Sequence, residues 1–220
     1  GIDALERVGN STGAVSYSVE DDARFRPLFG LYDVAFVKTS KEGENPVGGK
    51  WTRKNSIVQK LCRSRRSFQH ILPVNETGCG LSQVKTGNGE TLKVVGEAVN
   101  VISLDAFWGR ISVILRGDVV PLNSTERQDR SLSGLAVRAL FDKPRIVLGK
   151  SGRLVNINVG PKTSVVLDTK YCDDRVRIGM GARSGARFVF RRCPTADDPE
   201  ANEFRRLLER KPLRKAKALT

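Results

Sequence analysis

The sequence has one histidine, one methionine and two tryptophans in 220 residues, and its 24 aspartates and glutamates are outnumbered by 38 lysines and arginines. A Ser-His-Asp triad or a conventional zinc site needs histidines or closely spaced cysteines. His70 stands alone, and Cys62, Cys79, Cys172 and Cys193 include no CxxC pair. Free thiols, no metal and no cofactor are therefore expected. There is no run of eighteen apolar residues, so the chain encodes no helical membrane span. The N-x-[ST] triplets beginning at Asn10, Asn75 and Asn123 are read as coincidence.

What is plentiful is positive charge and glycine. A net charge of +14 favours an anionic partner: nucleic acid, an acidic membrane surface or the acidic face of an assembly. Arg63, Arg65 and Arg66, just before Phe68, suit phosphates and a stacked base, or equally anionic lipid head groups. At the C-terminus Arg210, Lys211, Arg214, Lys215 and Lys217 form a second basic cluster with little apolar content.

Along the chain, Ile2, Leu5 and Val8 recur at helical spacing, and residues 10–17 read as linker. Leu31, Tyr32, Val34, Phe36 and Val37 predict a strand, with 47–51 as its hairpin partner and 57–62 as a short helix. Strand signals then recur at 67–74, 80–85, 92–104, 110–122, 135–140, 145–148, 154–159, 164–171, 175–178 and 187–191. They are separated by turn chemistry such as Gly-Asn-Gly at 87–89 and Gly160-Pro161. Many short strands without long intervening helices predict a mainly β fold, an antiparallel barrel or sandwich. Asp198 and Pro199 open a helix carrying Phe204, Leu207 and Leu208, which Pro212 ends. The expected organisation is an N-terminal helical or linker segment (1–27), a β domain (28–193) and a C-terminal helix with a basic tail (194–220).

The candidate chemistry is sparse. Asp173 and Asp174 are neighbours between two strands, so their side chains diverge and cannot form a facing acid dyad. They are assigned to a turn with ion-pair duty toward Arg175, Arg177 or Arg183. The glycines of GMGARSG, 179–185, lack the strand-turn-helix context of a phosphate loop and read as a hairpin loop. His70 alternates with Phe68 and Leu72 and reads as a packed or half-exposed side chain.

The order of several short motifs carries a family resemblance. DTKYCDDRVRIG (168–179), followed by glycines and Arg187-Phe188-Val189-Phe190, resembles the C-terminal signature of the plastid lipid-associated proteins, also called fibrillins or plastoglobulins. GRISVILRGDVVPL (109–122), LAVRALFDKPRIVLG (135–149) and VGPKTSVVLDTKY (159–171) look like that family's middle strands, and FGLYDVAFVKT (29–39) is similar to its opening strand. Cys172 stands where the family usually has leucine, Met180 where a basic residue is common, and the loop at 182–186 is a residue longer. The resemblance, over roughly 28–192, implies a lipocalin-like antiparallel barrel with short flanking helices. It further implies no catalytic chemistry, binding of lipid or a small isoprenoid- or quinone-like molecule, and a plastid location on thylakoids, on plastoglobules or in the stroma.

If the barrel holds a ligand, its walls come from one face of the strands. Tyr32 on the first strand, Val165, Leu167 and Tyr171 on a later one, and Val176, Ile178, Phe188 and Phe190 on the last two are the expected inward residues. Arg177 and Arg187 are expected outside or at the mouth, with Asp173 and Arg177 as an ion pair. The alternative is an accessory subunit of a plastid assembly, a photosynthetic supercomplex or a ribonucleoprotein particle, docking through its basic surface and tail.

Overall fold

A computed structural model describes residues 2–11, 22–38, 62–74, 83–85, 89, 91–106, 109–122, 132–133, 135–149, 155–193, 199, 201, 202 and 204. Helix α1 (Ile2–Ser11) lies where the helical spacing predicted it, and a short 3-10 helix (Asp22–Leu28) leads into β1 (Gly30–Lys38). Then follow β2 (Cys62–Ser64), β3 (Phe68–Pro73), β4 (Gln83–Lys85), β5 (Thr91–Lys93), β6 (Gly96–Ala106) and β7 (Gly109–Pro121). The last six are β8 (Val137–Phe141), β9 (Arg145–Leu148), β10 (Val155–Asn158), β11 (Thr163–Cys172), β12 (Val176–Gly181) and β13 (Arg187–Arg192).

The strands form a closed antiparallel eight-stranded barrel. Around the ring the order is β7-β8-β11-β12-β13-β1-β3-β6, and β6 pairs back onto β7. Closure joins the two ends of the domain, with Asp33 of β1 opposite Arg191 of β13, and it leaves no open edge in the ring. The β6–β7 hairpin runs in unbroken register from Gly96 opposite Val119 to Ala106 opposite Gly109. Its distal half leaves the ring, with β2 on its β6 side and β9 and then β10 on its β7 side.

Three expectations shift. Cys62, expected to end a helix, begins β2, while 57–61 and the proposed hairpin partner at 47–51 fall outside the described residues. The single strand expected over 92–104 divides: β5 pairs with β4 as a separate two-stranded hairpin, and β6 begins only at Gly96. The N-terminal segment also belongs to the barrel. Phe25 and Leu28 of the 3-10 helix are buried with Ile71, Ala98, Val119 and Val137, closing the end at which β1 begins. Helix α1 packs against β11, and its Asp3 and Glu6 pair with Arg187 of β13.

Two apolar clusters divide inside from outside. The interior holds Phe25, Leu28, Ile71, Ala98, Val119, Val137, Ala139, Phe141 and Cys172. On the outer face Leu31, Phe68, Val99, Val101, Ile114 and Val147 are covered by Ala201 and Phe204 of the C-terminal helix, which forms where the Asp198-Pro199 start predicted it. The Phe204 ring stacks on Phe68 at 5.7 Å and meets His70 edge-on at 6.3 Å, so the lone histidine is a packed one.

Candidate functional site

Strand β12 presents only one side chain to the interior. Positions 177, 179 and 181 face inward, and two of them are glycine, so the inward side chain is that of Arg177. Register explains the placement: Arg177 pairs with Phe190 on one side and Cys172 on the other, both inner-face residues. Arg177 is fully buried, its guanidinium carbon lying 4.2 Å from the ring centroid of Phe190 and 4.5 Å from that of Tyr32. Its Nη2 donates to Oε1 of Gln69, and Gln69 Nε2 donates in turn to Asn100 Oδ1 at 2.9 Å.

Among the described residues, no carboxylate or hydrogen-bond acceptor neutralises the charge. Nε and Nη1 of Arg177 have no hydrogen-bond partner, and no described carboxylate pairs with the guanidinium. Burial pushes its pKa below the ordinary arginine value, with Tyr32 and Cys172 opposing and nearby Arg192 acting with burial. A buried ion without a counter-ion costs several kcal/mol even after relaxation, about the net stability of a small domain. Two ring faces and one amide oxygen offset part of that cost.

Beneath Arg177 the 3-10 helix fastens the closed end. The Pro27 carbonyl accepts from the Tyr32 hydroxyl at 3.0 Å, from the Cys172 thiol at 3.3 Å and from Arg192 Nη2 at 3.0 Å. Arg192 also donates to the Phe29 carbonyl at 2.8 Å and the Tyr32 hydroxyl at 2.9 Å. Burial raises the Tyr32 phenol and the Cys172 thiol, with Arg177 and Arg192 opposing in each case, and both groups keep their protons at neutral pH. The opposite end of the barrel is open by comparison. There the inward-facing Val37, Leu115, Leu167 and Phe188 are half-buried, and Val165 is 44% exposed.

Of the expected inward residues, Tyr32, Leu167, Phe188 and Phe190 face the interior, and Val165 does so at its open end. Tyr171, Val176 and Ile178 do not. A bulge between Thr169 and Tyr171 adds a residue to β11 and reverses its alternation, so Tyr171 pairs with Ile178 on the outer face. On β12, which is in unbroken register with β13, the pairing of Arg177 with the inward Phe190 turns Arg177 in, the reverse of the expectation. The Asp173–Arg177 ion pair does not form, because Asp173 sits exposed in the turn while Arg177 is buried against Gln69.

Asp173 instead organises its turn. Its Oδ1 accepts the backbone N–H of Arg175 at 2.7 Å and of Val176 at 2.6 Å, and its Oδ2 accepts the Tyr171 hydroxyl at 2.8 Å. The turn assignment of Asp173 and Asp174 therefore holds, with backbone bonds in place of the expected ion pair.

The basic cluster is engaged within the protein. Arg66 meets Asp33 Oδ2 at 2.9 Å, Arg191 meets the same oxygen at 2.6 Å, and Arg65 lies 3.6 Å from Asp105. The side chain of Arg63 and all of Arg210, Lys211, Arg214 and Lys215 lie outside the described residues.

Sequence reasoning missed Gln69, Asn100 and Arg192. A signal for Gln69 exists in hindsight: it shares its strand face with Ile71, an uncommon company for an amide unless that amide has a buried partner. The structure thus defines a closed β-barrel with a plugged floor, a more open opposite end and a cationic group inside. Comparison of the chain with family models, with curated proteins and with solved structures returns no match.

Proposed function

We propose that the protein is a non-enzymatic barrel that holds a lipid or a small hydrophobic molecule of the isoprenoid or quinone type in its interior. The observation that carries this reading is the buried, unneutralised guanidinium of Arg177 inside a closed barrel. Ring closure does not require it, since an apolar side chain would fill the same position at lower cost. Eight strands enclose about the width of one small ligand. The half-buried inner residues opposite the plug offer an apolar entrance.

A working place in a plastid, at the surface of thylakoids or plastoglobules, is part of the proposal and is supported by the ordered motifs over 28–192. Docking as an accessory subunit would use the basic cluster and tail, but Arg65 and Arg66 are already held by Asp105 and Asp33, which leaves the overall charge and the basic C-terminal sequence as its support. Native mass spectrometry of protein isolated gently from its source tests the proposal. A stoichiometric small-molecule adduct on the monomer is the expected result, and an adduct-free chain found only inside a large complex would overturn it.

A further inference from the structure

We infer that Arg177 anchors the carboxylate head of a long-chain monocarboxylate whose tail runs from the guanidinium toward the open end of the barrel. The inference rests on the interior-binding reading and names the ligand class. The head group follows from the donors: Nε and Nη1 of Arg177 are buried and unpartnered, and a guanidinium with unused N–H groups in an apolar enclosure is complementary to a carboxylate.

Among the described residues, Arg177 faces the interior with two unpartnered donors and no carbonyl partner. Arg192 nearby spends its Nη atoms on the Pro27 and Phe29 carbonyls and the Tyr32 hydroxyl.

The tail follows from what lies above the arginine. Gly179 and Gly181 give β12 no further inward side chains, Leu167 and Phe190 pack over Gly179, and Phe190, Phe188, Leu167 and Val165 form the apolar inner surface up to the exposed end. From Cys172, the strand partner of Arg177, to Val165 is about 20 Å of strand at roughly 3.3 Å per residue, the length of wall that an extended chain would follow. Gln69 is a positioning residue: its Oε1 holds the guanidinium between the Tyr32 and Phe190 rings, and its Nε2 is itself held by Asn100.

The test is equilibrium binding of radiolabelled hexadecanoate and of 1-hexadecanol to the delipidated full chain at mildly alkaline pH, where the acid is ionised, with Arg177→Met beside the native protein. The acid is expected to bind one to one and at least about tenfold more tightly than the alcohol, the scale of one hydrogen bond to a charged group. Arg177→Met is expected to weaken the acid by about the same factor and to leave the alcohol within about twofold. Acid and alcohol binding the native protein equally, or the acid binding Arg177→Met undiminished, overturns the carboxylate anchor and leaves the interior-binding reading standing. Binding of neither compound overturns both. The acid-to-alcohol ratio is read on the native protein, so the test holds even if the variant fails to fold.

Discussion

The guanidinium carbon of Arg177 lies 4.2 Å from the ring centroid of Phe190, its antiparallel partner on the neighbouring strand, and both side chains point into the barrel. The usual arrangement is thereby inverted, with a charge buried among aromatic rings in the interior. Stability and function should therefore pull apart at this position. Arg177→Met removes a buried charge that has no counter-ion, and its urea midpoint is expected to match or exceed that of the native protein, with less than about 1 kcal/mol lost at most. Gln69→Ala leaves the charge and removes the acceptor of its Nη2, and it should lose about 2 kcal/mol. A loss of several kcal/mol in Arg177→Met would make the arginine a structural keystone.

Ring closure between β7 and β8 depends on a missing side chain. A Cβ at Gly117 would lie 2.3 Å from the Leu140 carbonyl oxygen and 2.6 Å from Phe141 Cα, and backbone in a paired strand cannot retreat. Gly117→Ala is expected to cost about 3 kcal/mol, the upper end for overpacking. At Gly179 the nearest atom is Cδ1 of Leu167 at 3.1 Å, the end of a flexible side chain. Gly179→Ala should therefore cost about 1 kcal/mol, and equal losses in the two variants by denaturant melts would refute the distinction.

The Asp173 turn gives a pH signature. Burial acts to raise this carboxyl, but the N–H groups of Val176 and Arg175 and the Tyr171 hydroxyl outweigh it and hold the group below the usual carboxylate range. A depressed carboxyl contributes stability above its unfolded value, about 3.9, and that contribution is lost as pH falls through the lower folded value. Asp173→Ala should cost about 1 kcal/mol at neutral pH, and the gap to the native protein should close in acid. A gap that stays constant from neutral pH into acid would show that the carboxylate is not its source.

Tyr32 gives the opposite signature in base. Burial raises its phenol, so the folded protein holds that proton at a pH where the unfolded chain releases it. Stability should fall as pH rises above the unfolded tyrosine value of about 10. Tyr32→Phe removes this contribution to alkaline unfolding, and at neutral pH it should lose about 1 kcal/mol with the hydroxyl's bond to the Pro27 carbonyl. Identical alkaline unfolding of the two proteins would exclude the mechanism.

Much of the β pattern was legible because side-chain alternation and turn residues are local. The strand at 145–148 was placed to the residue, β1, β3, β7, β8 and β13 to within about two residues, and the Asp173 turn by the two aspartates between β-branched runs. A helix at Ile2, Leu5 and Val8 and another at Phe204 followed from spacing in the same way. A barrel was expected on the same grounds, but which strands close it depends on pairings such as Asp33 with Arg191, far apart in the chain, and these have no local signature.

Which way the residues of β11 and β12 point was decided only in three dimensions. Alternation fixes faces within an unbroken strand; the bulge between Thr169 and Tyr171 reverses it in β11 and turns Tyr171 outward, while on β12 the pairing of Arg177 with Phe190 sets Arg177 inward and Ile178 outward. Composition argued for the opposite, since arginine is rarely fully buried. What holds it inside is a set of partners from other strands, Tyr32 on β1, Gln69 on β3 and Phe190 on β13. Those strands meet Arg177 because the ring closes, and long-range closure is the physical event that local sequence does not record.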